Sequence, residues 1–235
     1  MKPRLITLAV LALGGQGGGV LVDWIVDLAE HAGWTAQATS VAGVAQRTGA
    51  TIYYIELVEP TPGREPVMAL MPVPGDVDVL IAAELMEAGR AVERGLVTPD
   101  RTVLVASSHR TYAVQEKIVP GNGLADSAAV LDVLRGAARQ LVVADMQALA
   151  VGHGSVISAS LFGGLAGSLL NTLGLHELIT HDLLGYEQQA LRLAQNPELL
   201  AALRSRLAQQ RSTSPLFNTK RFTHHLETAF HNMLR

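Results

Sequence analysis

The chain has 235 residues, 49% hydrophobic and 17% charged, enough apolar sequence to bury a sizeable core in one or two domains. A formal net charge of −3 leaves no electrostatic footprint for nucleic acid, so no nucleic-acid partner is expected. With no cysteine, the sequence excludes disulfides, thiol nucleophiles, cysteine-rich zinc sites and a cysteine-ligated iron–sulfur cluster held by these residues.

Met1-Lys2-Pro3-Arg4 and the apolar run after it superficially resemble a secretory signal. The run 5–13 stops at a glycine cluster with no small-residue cleavage site behind it, so it is read as a buried first strand. No apolar run reaches the roughly 18 residues a membrane helix needs, so no membrane association is expected and the cytoplasm is the expected compartment. Residues 14–19 read Gly-Gly-Gln-Gly-Gly-Gly, and 20–32 is amphipathic. Together these spell strand, turn, helix. Glycines in such a turn adopt positive φ and bring backbone N–H groups close to an anion or to a partner's backbone. The dinucleotide fingerprint is not met. Read from Gly15, G-x-G-x-x-G fails at Val20, and 35–41 lacks the acid that would hold a ribose. The turn therefore predicts a ligand or partner at the carboxyl end of the first strand, not a self-sufficient NAD enzyme.

Strands are expected over 35–41 and 51–58, separated by a loop over 42–50 that carries Gln46, Arg47, Thr48 and Gly49. An arginine among small and polar residues can hold a carboxylate or phosphate through two parallel bonds. Tyr53 and Tyr54 alternate across the second of these strands, which places one in the core and one outside. Proline–glycine turns fall at 59–63 and 71–75, followed by a buried strand over 78–82 and a helix over 84–94. Glu84 and Glu87, one helical turn apart, read as a solvated helix face. A strand over 102–107 delivers Ser107, Ser108, His109 and Arg110 to the carboxyl edge, where open α/β sheets bind ligands. Adjacent residues point apart, so no Ser-His-acid arrangement follows. A helix over 124–139, a strand over 141–144 and a small-residue helix over 155–173 complete an alternation that predicts an α/β fold. Its sheet is expected to be mainly parallel and Rossmann-like, with helices on both faces. Beyond about residue 174 no strand is expected. Residues 183–208 are helical, with Pro197 starting a second helix after Asn196. Within 213–235 a turn at Ser214-Pro215 precedes an amphipathic helix, on which Phe222, Leu226, Ala229, Phe230 and Met233 fall at helical spacing. The eight histidines show no H-E-x-x-H spacing, so no metal site is expected.

Several motifs occur in order along the first two thirds of the chain. They are Gly14-Gly15-Gln16-Gly17, the stretch Val44-Ala45-Gln46-Arg47-Thr48-Gly49-Ala50-Thr51, Met71-Pro72-Val73-Pro74-Gly75-Asp76, Glu84-Leu85-Met86-Glu87-Ala88-Gly89, Arg94-Gly95-Leu96-Val97-Thr98-Pro99-Asp100 and Gly154-Ser155-Val156-Ile157-Ser158-Ala159. On these, residues 1 to about 168 resemble the beta subunit of indolepyruvate ferredoxin oxidoreductase, within the gamma-type domain family of 2-oxoacid ferredoxin oxidoreductases. Gly174-Leu175-His176-Glu177-Leu178, Ala190-Leu191-Arg192-Leu193-Ala194 and Ser214-Pro215-Leu216-Phe217-Asn218-Thr219 are of another kind. They resemble the C-terminal end of bacterial O-linked N-acetylglucosamine transferase-like proteins. The two resemblances divide the chain into an α/β domain over 1–168 and a helical tail over 169–235, joined near 162–170.

The first resemblance implies oxidative decarboxylation of 2-oxoacids such as indolepyruvate to acyl-coenzyme A, with electrons passed to ferredoxin through thiamine diphosphate and iron–sulfur clusters. This chain has no cysteine, and Gly121-Asn122-Gly123 is not the Gly-Asp-Gly that would hold magnesium and diphosphate. The resemblance therefore implies an oxidoreductase subunit that is inactive alone and has no catalytic residue or metal of its own. It would work with an alpha-type subunit holding the thiamine diphosphate and the clusters, and with ferredoxin through that complex. Its ligand- or partner-binding residues would be Gly14, Gly15, Gln16, Gly17, Gln46, Arg47, Thr48 and Gly49, with coenzyme A among the groups they contact. The second resemblance implies an alternative, a truncated or chimeric glycosyltransferase-related interaction module without activity of its own.

Overall fold

The computed structural model describes residues 4–41, 50–63, 65–112, 116, 123–180 and 183–210. The expected helix over 213–235 and the loop residues Gln46, Arg47, Thr48 and Gly49 lie outside the described residues, as do Gly121 and Asn122. The chain divides into two compact units, the first ending at Gly164 and the second beginning at Leu165.

The first unit is built on a six-stranded sheet of order β2-β3-β1-β4-β5-β6. Its strands are β1 (Leu5–Leu13), β2 (Thr35–Val41), β3 (Ala50–Val58), β4 (Val79–Ala82), β5 (Val103–Ser107) and β6 (Gln140–Ala144). The helices are α1 (Gly18–His31), α2 (Leu85–Glu93), α3 (Ser127–Ala137), α4 (Met146–Gly152) and α5 (Ile157–Thr172), whose last turns belong to the second unit. β1, β4, β5 and β6 pair in parallel, whereas β3 pairs antiparallel with both β1 and β2. The sheet is thus mostly parallel, with β3 running against the other five strands. β1 is central and is buried without interruption from Thr7 to Ala12, as its unbroken apolar run requires. β2, Thr-Ala-Gln-Ala-Thr-Ser-Val, has no buried residue and forms an edge.

Alternation along the strands gives each face its own cover. Ala9, Leu11, Leu80, Ala82, Leu104 and Ala106 pack with Leu85, Ala88 and Ala91 of α2 and Leu134 of α3 in one core cluster. On the opposite face, α1 buries Leu21, Val22, Ile25 and Ala29 over β1, β2 and β3. There α5 approaches β5 through Gly164, where an added Cβ would lie 3.3 Å from Val105 Cγ1 and 3.1 Å from Met146 Cε. On the α2–α3 face, the β2–β3 part of the sheet is crossed by the irregular segment 65–74. Gln37 Nε2 donates to Ala69 O at 3.2 Å and Thr39 Oγ1 to Leu70 O at 2.7 Å. Ala69 N–H donates to Glu56 Oε2 at 2.8 Å, and Tyr54 Oη donates to Glu56 Oε1 at 2.7 Å. Burial, reinforced by that carboxylate, pushes the Tyr54 phenol above its ordinary range. Tyr54 is the buried tyrosine of the pair; Tyr53 is half-buried against α1 rather than exposed.

The amino edge of the sheet is closed by charge. Asp78 Oδ2 accepts from Thr7 N–H at 2.9 Å, and Arg101 Nε donates to Asp78 Oδ1 at 2.8 Å. Arg101 also pairs with Asp76. Burial opposes the guanidinium charge, but Asp78 and Asp76 outweigh it and hold the pKa above its ordinary value. That edge is committed to structure, and the carboxyl edge carries the loops.

The second unit continues from α5 through a 3-10 turn (His176–Leu178) into α6 (Leu183–Gln195) and α7 (Pro197–Gln210). Asn196 Oδ1 accepts from Leu199 N–H at 3.1 Å, so the residue before Pro197 caps α7. Arg206 of α7 pairs with Glu177 at 2.6 Å and donates to Gly174 O at 2.8 Å, tying the helix to the 3-10 turn.

Candidate functional site at the carboxyl edge of the sheet

β1 ends at Leu13 in the middle of the sheet, and its carboxyl end opens into the glycine turn. Gln16 closes that turn on itself: its N–H donates to Leu13 O at 3.1 Å, and its Oε1 accepts from Leu13 N–H at 2.8 Å. The side-chain oxygen of Gln16, a residue the sequence offers for ligand or partner binding, is therefore a turn acceptor. Gly15 (φ 87°) and Gly17 (φ 69°) take the left-handed conformation the turn requires. Gly17 is the N-cap of α1 and gives no side-chain cap, so the first N–H groups of α1 are not satisfied by a side chain of the cap.

The glycines divide by what surrounds them. A Cβ on Gly18 would meet Tyr53 Cε2 at 2.7 Å and Ala12 Cβ at 2.8 Å, and one on Gly17 would meet Ser158 Oγ at 3.0 Å. Packing therefore requires glycine at position 18, and at position 17 the left-handed φ requires it beside a tight contact. A Cβ on Gly14 or Gly15 would meet nothing within 4 Å among the described residues. Gly15 is explained by its φ. Gly14 has no positive φ and no neighbour among the described residues, so none of them requires glycine there.

The next loop along the edge belongs to β4. Glu84 is 1% exposed and caps α2: Oε1 accepts from Glu87 N–H at 2.7 Å, and Oε2 from Met86 N–H at 3.0 Å and Thr111 N–H at 3.3 Å. Burial raises its pKa from the ordinary 4.5, and the three backbone donors and Arg90 offset this only in part. Glu87 is fully buried and pairs with Arg90. The expected solvated face at Glu84 and Glu87 is thus corrected. The Glu84 carboxyl turns inward because α2 starts under the β5 loop, where backbone donors need an acceptor, and the Glu87 carboxyl turns inward onto Arg90.

β5 supplies the third loop. Ser107 is fully buried, and its Oγ accepts from His109 N–H and Met146 N–H, each at 3.2 Å. His109 O accepts from Leu85 N–H at 2.9 Å. Arg110 pairs with Glu116, donates to Ser127 Oγ at 2.8 Å and stacks 5.5 Å over the Tyr112 ring. Ser107, His109 and Arg110 are engaged in holding loops, with no nucleophile–base contact among their bonds. Ser107→Ala is expected to cost about 2 kcal/mol, because it strands two buried backbone donors. Urea unfolding checks this, and a loss below about 0.5 kcal/mol, typical of an ordinary surface site, would rule it out.

The carboxyl edge therefore gathers Gly14–Gly17 after β1, Glu84 after β4 and the 107–112 segment after β5. Sequence reasoning missed the roles of Glu84 and Ser107. Glutamate is not a favoured N-cap residue, so Glu84 carried no local signal. Among the described residues, no group of three or more His, Asp or Glu side chains is placed to hold a metal ion, and no single helix is long and apolar enough to cross a membrane.

Similarity to known proteins follows the fold. A pyruvate oxidoreductase subunit from Thermotoga maritima is 15% identical, with a TM-score of 0.46 over 81% of this chain and 85% of that one. The gamma subunit of a keto/oxoacid ferredoxin oxidoreductase from Geobacter sulfurreducens is 16% identical, with a TM-score of 0.42 over 87% and 94%. A probable UDP-N-acetylglucosamine–peptide N-acetylglucosaminyltransferase from Arabidopsis thaliana is 41% identical over 70 residues. That stretch is 29% of this chain but only 7% of the plant protein. The sequence model of the pyruvate ferredoxin/flavodoxin oxidoreductase family matches residues 7–210, from β1 to the last residue of α7 and so past residue 168. A match over most of the chain, on a mostly parallel α/β sheet, places the protein: it belongs to the pyruvate ferredoxin/flavodoxin oxidoreductase family.

Proposed function

We propose that this chain is the non-thiamine, non-cluster subunit of an indolepyruvate-type 2-oxoacid ferredoxin oxidoreductase. It acts with an alpha-type subunit in the oxidative decarboxylation of a 2-oxoacid to acyl-coenzyme A. The observation that carries this reading is the family match over residues 7–210, in a chain with no cysteine for an iron–sulfur cluster. A cysteine-ligated cluster does not fit these residues. The glycine turn is the contact point: Gly14 and Gly15 are open, and the first N–H groups of α1 beside them favour an anionic group. A coenzyme A phosphate or a carboxylate of the partner fits that chemistry. Coenzyme A, when bound, supplies the thiol that accepts the acyl group. This chain's part is to orient it and to keep the turn free of side chains. Arg47 and its loop neighbours are proposed as a second contact through paired bonds to the same kind of group.

The test is reconstitution with an alpha-type subunit of the same family. The chain alone is expected to carry neither iron nor thiamine diphosphate, and the complex both. The complex is expected to reduce ferredoxin with indolepyruvate and coenzyme A. Stoichiometric iron in the chain alone, or an inactive complex, overturns the reading. Gly14→Val, whose Cβ meets no atom of the described residues within 4 Å, is expected to leave the melting temperature unchanged. It should weaken coenzyme A use or complex formation about tenfold, or 1.4 kcal/mol. Unchanged affinity and turnover would show that the turn serves the fold alone.

A second reading rests on the 70-residue match at 41% identity to the plant glycosyltransferase. On that reading the chain is an interaction module without activity of its own, and the reconstituted complex would form without turnover.

A further inference from the structure

We propose that the outer face of α1 docks a partner subunit through Val20, Trp24 and Leu28, against an apolar ridge flanked by lysine or arginine. The inference rests on the proposed function, because it locates the subunit contact that reading requires. These three side chains follow one another at i, i+4 and i+8 and so form a single stripe. They are 47%, 39% and 59% exposed, although α1 already buries Leu21, Val22, Ile25 and Ala29 on its inner face. Beyond its inner stripe, α1 thus presents a second apolar stripe that is more than a third exposed at each position. Trp24 is held in place from one side, its ring edge-on to Phe162 of α5 at 6.1 Å between centroids and 78° between planes. A tryptophan anchored on one side and exposed on the other is the residue type that dominates interface energies.

Charge selects the occupant. Asp23, Asp27 and Glu30 are exposed along one flank of the stripe, and the other flank is the buried face. His31 Nδ1 lies 3.3 Å from Asp27 Oδ1 at the far end, which leaves the flank acidic when the histidine is neutral. A partner carrying an apolar ridge bordered by basic side chains is complementary to this surface. A second copy of this chain docked antiparallel on the same stripe would oppose acid to acid. The stripe also begins at the glycine turn. Val20 is in the first turn of α1, so a partner lying along the helix arrives beside Gly14 and Gly15.

The experiment is a binding titration of the wild-type chain and three variants with the purified alpha-type subunit, at low and at high salt. Melting curves serve as the control for folding. Trp24→Ala is expected to weaken the complex at least about 30-fold, the threshold of an interface hot spot. Leu28→Arg, at the most exposed of the three positions, is expected to weaken it about tenfold without a change in melting temperature. The double variant Asp23→Lys/Asp27→Lys is expected to lose affinity at low salt and to converge on wild type as salt rises. Wild-type affinity in Leu28→Arg and in the double variant overturns the surface while leaving the subunit reading intact. No complex with the wild-type chain overturns both. Self-association of the wild type without partner, lost in Leu28→Arg, overturns the choice of occupant.

Discussion

Gly18→Ala is expected to lower the stability of the chain by about 3 kcal/mol, the upper range for overpacking a close-packed core. The substitution is normally favourable in a helix, by up to about 1 kcal/mol. Here the new Cβ falls 2.7 Å from Tyr53 Cε2 and 2.8 Å from Ala12 Cβ. The tyrosine ring is half-buried and can rotate aside. The Ala12 Cβ cannot, because it is fixed to the backbone of β1, which is paired on both sides. The first turn of α1 must therefore lift off the sheet, and the glycine turn with it. Gly19→Ala is the matched control. Its Cβ would find Tyr53 Oη at 3.7 Å, an ordinary contact, so the helix-propensity gain should survive and stability should hold or rise. Urea unfolding of the two variants side by side tests the argument. Equal stabilities would mean that α1 does not seat on β1 through Gly18. A second consequence concerns the partner: the displaced turn should weaken the proposed complex in Gly18→Ala, while Gly19→Ala binds as wild type.

The elements were legible where the pattern was local. The runs 5–13 and 35–41 are the strands β1 and β2 to the residue, and the break at Asn196-Pro197 separates α6 from α7. Apolar runs and a proline after an asparagine carry their meaning in the sequence itself. The reversed direction of β3 was not legible, since hydrophobic pattern records burial and not strand sense. α4 was passed over although Asp145 caps it, its side chain accepting from Ala148 N–H at 2.8 Å. Its seven residues are too short to show a helical period. In sequence the segment 65–74 offers only the turn that begins at Met71. Its bonds to Gln37, Thr39 and Glu56 join residues 13 to 32 positions apart, and no local propensity encodes such pairings. At the site, the glycine turn was legible from composition. What each glycine does was not, because Gly18 is fixed by Tyr53, which lies 35 residues away by the difference of their numbers. The buried side chains at the edge escaped for the opposite reason. A charged residue on an amphipathic helix is usually solvated, and only the β5 loop folding over α2 makes Glu84 internal.

Glu84→Ala should accordingly be the second large perturbation, at about 3 kcal/mol, since it removes the acceptors of three backbone donors from a buried position. Its pH dependence separates this role from a generic packing loss. Burial raises the Glu84 pKa above 4.5, so the folded state favours the protonated carboxyl. The stability this contributes is fully present below the unfolded value of 4.5 and is lost as pH rises through the higher folded value. Glu84→Gln keeps the shape without the titration. One of its terminal atoms becomes a donor, so it still gives up at least one of the three bonds at every pH. The stability gap between wild type and Glu84→Gln should therefore be widest near pH 4 and narrow towards pH 7. Urea unfolding at intervals across that range measures it. A constant gap would mean that the three N–H groups cancel the effect of burial, and one that widens with pH that they outweigh it and hold the carboxylate charged. The cap at the carboxyl edge would then be an anion site already filled by the chain's own glutamate, and the open glycine turn after β1 would be left as the place on this edge where an external anion can bind.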